Sequence, residues 1–278
     1  MVIKKFKISL SLFLAYPANQ DYYLDYFFSW EKKFDNWRPR FGAIIKQERG
    51  KWILMYIIPC QEKDIKDASE NDFKLLVNRL EKKSILLQAQ SRITYSGILE
   101  GLLSKKGLLN RNVTADITSQ IIIQAKEKLF TDNLISEKIV NNPKDYSVIL
   151  LGGRGYIGVH LKELLPDFHC IDQGDSFPEH LKGKNAILIN LAPQGTFTSR
   201  ANELWPEMIV LNESYPGPNI RELAIFKSKS IKIFHIKGVE PEFVFPKFTR
   251  DYYGATPCCS IQPSDNFKVI ITELLKRN

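Results

Sequence analysis

The chain is poor in cysteine and histidine, with four of each among 278 residues. The cysteines are Cys60, Cys170, Cys258 and Cys259, and their spacing is not that of a zinc site, so no metal is expected. Adjacent residues such as Cys258 and Cys259 rarely bridge, because a vicinal disulfide is strained. Free thiols without a disulfide framework point to a reducing compartment, and the expected location is the cytoplasm. Long hydrophobic runs are also missing. None approaches the roughly 20 apolar residues of a membrane helix, which argues against a membrane protein. The sequence has no internal repeat, no low-complexity tract, and no block of Lys and Arg interleaved with aromatics. Nucleic acid is therefore not an expected partner.

What is present is the composition of an ordinary globular protein, 44% hydrophobic and 25% charged, which allows a sizeable core. The net charge of +8 is spread through mixed runs such as Glu62-Lys63-Asp64 and Lys126-Glu127-Lys128, which read as solvated faces. The basic excess suits a phosphate-bearing cofactor or an acidic substrate. Lys4, Lys5 and Lys7 before Ile8–Ala15 imitate a short signal peptide. The alternation of Ser9 and Ser11 with Ile8, Leu10 and Leu12 instead reads as a first strand.

The pattern predicts an α/β chain in two parts. Residues 1–146 form an N-terminal α/β domain on the substrate side, and residues 147–278 a Rossmann-type, doubly wound parallel sheet. In the first part the strands are Phe6–Ala15, Ala43–Lys46 and Trp52–Ile58. A helix follows with Phe73, Leu76, Val77 and Leu80 on one face, capped by Asn71 or Asp72, and a second covers Ser119–Phe130. The polar turn Asn141–Asp145 marks the boundary. In the second part strands fall at Ser147–Leu151, Phe168–Asp172, Ala186–Ala192, Met208–Glu213 and Ile231–Val239. Tyr156–Leu165 is a helix with Ile157, Leu161, Leu164 and Leu165 inward, and the spacing predicts a closing helix over Asp265–Lys276. Short apolar strands separated by helices or loops indicate a mostly parallel sheet.

Gly153-Arg154-Gly155-Tyr156-Ile157-Gly158 fits G-x-G-x-x-G, follows the apolar strand Val148–Leu151 and opens the Tyr156 helix. In such a turn the first glycine permits a tight bend, the second lets backbone approach a pyrophosphate, and the third lets helix pack on strand. The helix N-terminus supplies N–H groups and a favourable dipole. An acid is expected about 20 residues on, and Asp172 stands 19 positions after Gly153. A carboxylate there accepts from a ribose 2′-hydroxyl and repels a 2′-phosphate, so NAD is the expected cofactor. Arg154 keeps NADP as the second choice, since it could reach a phosphate.

The strand ending Asn190-Leu191-Ala192-Pro193-Gln194-Gly195 resembles the Asn-x-Thr-Pro-x-Gly strand end of shikimate dehydrogenases, and Ile209–Pro216 is similar to that family's later strand, which ends in a Tyr before a turn. The resemblance covers about residues 147–220. It implies that Asn190, Leu191, Ala192 and Pro193 lie near the nicotinamide side of a bound cofactor. The first half has no match to that family's Asn-x-Thr-x-Pro segment leading to a catalytic Lys. Ile93–Ile98 and Val113–Ser119 resemble segments of the long-chain acyl carrier protein reductases. Both likenesses imply a substrate-side domain followed by a dinucleotide domain, with reaction in a cleft between them.

Thr114, Asp116, Thr118 and Ser119 precede the apolar Ile121–Ile123 and read either as a helix cap or as a polar wall for substrate. Asp116, Tyr215, Cys258 and Cys259 are the candidates for chemistry. A thiol could form a thioester before hydride transfer, and a phenol could donate a proton to a carbonyl. Cysteine is equally at home in a core, and His235 inside the apolar run Ile231–Ile236 reads as a core histidine. The expected function is an NAD(P)-dependent oxidoreductase acting on a small carbonyl, hydroxy or acyl substrate, with a second copy of the chain as partner if it forms a homodimer. The alternatives are an S-adenosylmethionine-dependent methyltransferase and a non-catalytic NAD(P)-binding protein.

Overall fold

Strands rich in β-branched and aromatic residues alternate with helices whose starts carry acceptor side chains. The computed structural model describes residues 9–28, 35–47, 50–89, 93–109, 113–132, 134–135, 142–248, 250–262 and 267–275. The first elements are β1 (Ser9–Ala15), α1 (Gln20–Tyr26), β2 (Arg40–Gln47), β3 (Lys51–Ile57), α2 (Glu62–Lys66), α3 (Glu70–Leu86), β4 (Ile93–Tyr95), α4 (Leu99–Lys105) and α5 (Val113–Thr131). There follow β5 (Ser147–Leu151), α6 (Tyr156–Leu164), β6 (His169–Ile171), β7 (Ala186–Asn190), α7 (Thr196–Ser199), β8 (Met208–Asn212), α8 (Ile220–Ser228), β9 (Lys232–Val239), β10 (Phe243–Phe245) and β11 (Val269–Glu273). The chain is an α/β protein with two sheets.

Two compact units result, Met1–Ile117 with Val239–Lys268, and Thr118–Gly238 with Val269–Asn278. The division thus falls inside α5 rather than near residue 146. The segment after β9 rejoins the first unit, because β10 adds an antiparallel edge to β2. Asn141 of the expected boundary turn lies outside the described residues.

The first unit's sheet has the order β10-β2-β3-β1-β4. Parallel pairs join β1 to β3 and β4, while β2 runs antiparallel to β3. Leu12, Leu14 and Ile58 pack on one side against Phe73, Leu76 and Leu80 of α3. Ser69, not Asn71 or Asp72, caps α3, in a reciprocal box with the Asp72 carboxylate.

The second unit's sheet has the order β11-β9-β8-β7-β5-β6. Strands β6, β5, β7, β8 and β9 are parallel neighbours. Every residue of β7 and β8 is buried, as a strand covered on both faces requires. Counted along the chain the order is 2-1-3-4-5, so the sheet lacks the strand that lies outside the second one in the six-stranded dinucleotide order 3-2-1-4-5-6. The link from β6 to β7 carries only a turn of 3-10 helix at Glu179–Leu181.

The expected closing helix over Asp265–Lys276 is instead, over Val269–Glu273, the strand β11. Phe267, Ile270, Ile271, Leu274 and Leu275 fit a helical stripe, but a short apolar run rich in β-branched residues is ambiguous, and pairing beside β9 decided it. The bonds Glu240 N to Lys268 O and Leu274 N to Ile233 O make this edge antiparallel. Leu164, expected inward on α6, is 48% exposed, whereas Leu161 and Leu165 are buried.

Helix α5 begins at Val113, six residues before the expected start. Its first turn is closed by the buried Glu100 carboxylate, which accepts from Thr114 N at 3.0 Å and Ala115 N at 3.2 Å. A carboxylate at a helix N-terminus is favoured by the dipole as well as by the bonds. Glu100→Ala leaves buried N–H donors without acceptors and is expected to lower stability by about 2–3 kcal/mol. Urea denaturation at unchanged m-value checks this; a loss below about 0.5 kcal/mol, the range of ordinary surface substitutions, would contradict it.

Candidate functional site

Parallel strands leave an open crevice where neighbours on either side of one strand connect in opposite directions. In the second unit that strand is β5, flanked by β6 and β7. A cleft of about 760 Å³ lies there, lined by residues following all three strands: Gly152 and Gly155, Asp172 to Ser176, and Leu191 to Pro193. This is within the roughly 300–1,000 Å³ of small-molecule sites. A cavity in the first unit, walled by Tyr16, Tyr22, Tyr26 and Tyr252, holds only about 60 Å³, room for a few waters.

The glycine turn is built by close backbone approaches. Gly152 has φ +84° and packs so tightly that a Cβ there would lie 3.0 Å from Ala192 N. A Cβ on Gly158 would lie 2.5 Å from Gly153 O and 2.6 Å from Gly153 Cα, so only glycine lets α6 sit down on the turn. A Cβ on Gly155 would lie 3.1 Å from Gly152 O. Gly155 also serves as the N-cap of α6 and, as a glycine, brings no capping side chain to that helix. Gly155 faces the cleft, while Gly153, Arg154, Tyr156, Ile157 and Gly158 shape the turn without appearing among the residues lining it.

Asp172 follows β6 and binds the same turn, accepting the Arg154 backbone N–H at 2.7 Å through Oδ2. Its Oδ1 has no hydrogen-bond partner among the described residues. The Arg154 guanidinium pairs with Asp175 at 2.9 Å at an exposed position, a contact worth at most about 1 kcal/mol and readily exchanged for another anion. Arg200 holds the loop after β6 from beneath, donating to Asp172 O at 2.7 Å and Asp175 O at 2.9 Å. Nothing in the sequence singled out Arg200 or Asp175, because their roles depend on backbone carbonyls brought close by folding.

Asn190, expected beside a cofactor, is buried and works as a clamp. It accepts from Ala192 N and donates to Asn212 Oδ1 at 2.6 Å. Asn212 in turn donates to Ser214 O and lies 2.9 Å from His235 Nδ1, which must accept and so carries its proton on Nε2. Leu191, Ala192 and Pro193 line the cleft. The following loop has its own anion: the buried Glu222 carboxylate accepts from Gly195 N and Phe197 N and fills the start of α7.

Several candidates are redirected. Thr114, Thr118 and Ser119 are buried, and Glu100 occupies the helix start, so the free N–H groups that recommended this segment for substrate are already used. Asp116 is exposed on the same helix. Tyr215 donates its hydroxyl to Ile236 O at 2.8 Å and stacks edgewise on His235, so its proton is engaged in holding the turn. Cys258 is buried and Cys259 half-buried, both in the first unit rather than in the unit of the glycine turn. No group of three or more metal-ligating side chains occurs among the described residues, and no described helix is long and apolar enough to cross a membrane.

A residue not singled out from the sequence stands at the end of β8. Glu213 donates its backbone N–H to Asn190 O at 3.1 Å, which continues the parallel register one step past Asn190 and Asn212 and pairs it with Leu191 of the cleft wall. Its carboxyl makes no hydrogen bond or ion pair with the described residues, and burial pushes its pKa up to about 8. The signal available in the sequence was an acid closing a wholly apolar strand, which is equally the mark of a strand end. Because the folded pKa exceeds the unfolded one of about 4.3, the protonated form is favoured by folding. The contribution is complete below about pH 4.3 and is lost as pH rises through about 8. Glu213→Gln should therefore match wild type in acid and become the more stable of the two at about pH 9. Parallel thermal melts across that interval check this; curves that stay a constant distance apart would contradict it.

No protein-family profile matches the chain, and a search of curated proteins finds no match.

Proposed function

We propose that the second unit binds NAD, with NADP as the weaker alternative, and that the chain is an oxidoreductase acting on a small carbonyl, hydroxy or acyl substrate. The observation that carries this reading is the contrast among helix starts. Of the described helices of eight or more residues, α3 is capped by Ser69, α5 by Glu100 and α8 by Asn219. Helix α6 alone among them has a glycine at its N-cap, and it opens on the cleft of about 760 Å³. An anion brought by a ligand would complete it as Glu100 completes α5. A pyrophosphate fits the glycine cradle, and Asp172 Oδ1 stands one strand away, suited to a ribose hydroxyl. Bound dinucleotide would supply a hydride acceptor or donor, while this chain orients it and excludes water. A non-catalytic dinucleotide binder is the second reading, favoured by the structural engagement of Tyr215.

NAD at about 100 times its Kd should stabilise the protein by about 2.7 kcal/mol, and NADP at equal concentration by less. Gly155→Val adds bulk where backbone must approach phosphate and should abolish the shift while the protein still melts cooperatively. Thermal scans with NAD, NADP and S-adenosylmethionine read the result. A shift with S-adenosylmethionine alone, or one that survives Gly155→Val, would replace the dinucleotide reading.

A further inference from the structure

Asp172 is not the only acid facing the glycine turn, because Asp175 lines the same cleft, together with Ser176, Arg200 and Glu203. The loop after β6 is a tight turn, closed by Asp175 N to Asp172 O at 3.1 Å, with Gly174 at φ +88°. Asp175 Oδ2 accepts the Asp172 N–H at 3.0 Å, so the second acid is folded back over the first. Arg200 is buried and donates to the carbonyls of Asp172 and Asp175. Asp175 is thus fixed through its N–H, its carbonyl and its carboxylate. Arg154 is the opposite case. Asp172 holds its backbone N–H, but its side chain is 63% exposed, and its guanidinium pairs with Asp175 Oδ2 at 2.9 Å. A fixed acid therefore decides where a movable cation stands.

We propose that Asp175 sets the ribose specificity of this cleft by latching Arg154, so that a free ribose diol is taken in preference to a ribose phosphate. The inference rests on the dinucleotide reading and deepens it. Read alone, Asp172 and Arg154 point to opposite choices. A carboxylate at the end of β6 suits a 2′-hydroxyl, and an arginine beside it suits a 2′-phosphate. The geometry resolves the conflict. Arginine binds phosphate through its forked N–H donors, and those of Arg154 are already turned on a carboxylate. A phosphate arriving beside the turn meets the charges of Asp172 and Asp175 and must take Arg154 from its partner. Arg200 offers no substitute, because its NH1 and NH2 groups serve the two carbonyls and Glu203. A hydroxyl carries no charge, donates to a carboxylate oxygen and leaves the latch in place. The pair is exposed and therefore weak, so the latch sets a preference rather than an exclusion.

The test measures NAD and NADP affinities of the full chain by calorimetry, since the two ligands differ only in the ribose phosphate. Wild type is expected to bind NAD the more tightly. Asp175→Asn keeps an oxygen for the Asp172 N–H and removes the charge that holds Arg154. It should raise NADP affinity about tenfold, the worth of one charge-assisted bond, and change NAD affinity less than about threefold. Adding Arg154→Ala to that variant removes the released guanidinium, spares the backbone N–H that Asp172 binds, and should cancel the gain. A gain that survives in the double variant assigns the effect to repulsion by Asp175 alone and overturns the latch. An NADP affinity unchanged in Asp175→Asn, or a wild type that prefers NADP, overturns it equally. Each of these results leaves dinucleotide binding standing. Failure of both ligands to bind the wild type overturns the site reading and this inference with it. Asp175→Ser, whose hydroxyl can accept the same N–H, takes the place of the Asn variant if that one does not melt cooperatively.

Discussion

The backbone contact between Gly158 and Gly153 sets the position of everything around the cleft. At that spacing no Cβ fits, so α6 lies directly on the turn that leaves β5, and its N-terminus is aimed over the carboxyl edge of the sheet. Gly152 fixes the other side of the same turn against the backbone of Leu191 and Ala192. Asp172 then locks the turn to β6 through the Arg154 N–H, and Arg200 locks the loop after β6 to itself. Three strand ends are thereby held in one rigid frame, which is the condition for binding an extended ligand across them.

Around that frame the chain treats its helix starts unequally. Glu100 and Glu222 are buried carboxylates serving as internal anions, the first accepting two backbone N–H groups and the second three. Each costs desolvation, offset by charge-assisted bonds and the helix dipole. Internal satisfaction makes those starts structural. The start of α6 differs in residue type, since its N-cap is a glycine, which offers no side-chain acceptor of its own. The acid at the end of β8 is the inverse case, a carboxyl whose pKa burial pushes up to about 8.

Much of the second unit was legible because its signals are local. The five parallel strands, the glycine spacing and Asp172 each depend on a few neighbouring residues, and each lies where the pattern placed it. Misreadings came where two periodicities compete or where a partner is distant in sequence. Val269–Glu273 satisfies helical spacing and strand propensity alike, and the vacant edge of β9 decided between them. The polar residues Thr114–Ser119 looked available for a ligand until Glu100, 14 positions before Thr114, was brought to the helix start. Cys258 and Cys259 follow β9 in the chain but belong to the first unit, because β10 crosses back to pair with β2.

The sequence by itself determined the α/β class, the strand–glycine turn–helix at residues 147–165 and the acid that answers it, since backbone conformation and burial period are properties of short segments. Tertiary structure alone decided which polar groups are consumed and which remain. A carboxylate is spent or available according to the donors that folding brings within about 3 Å, and those donors lie anywhere along the chain. Glu100, Glu222 and Glu213 are the same residue type, and only their surroundings make two of them caps and raise the pKa of the third through burial.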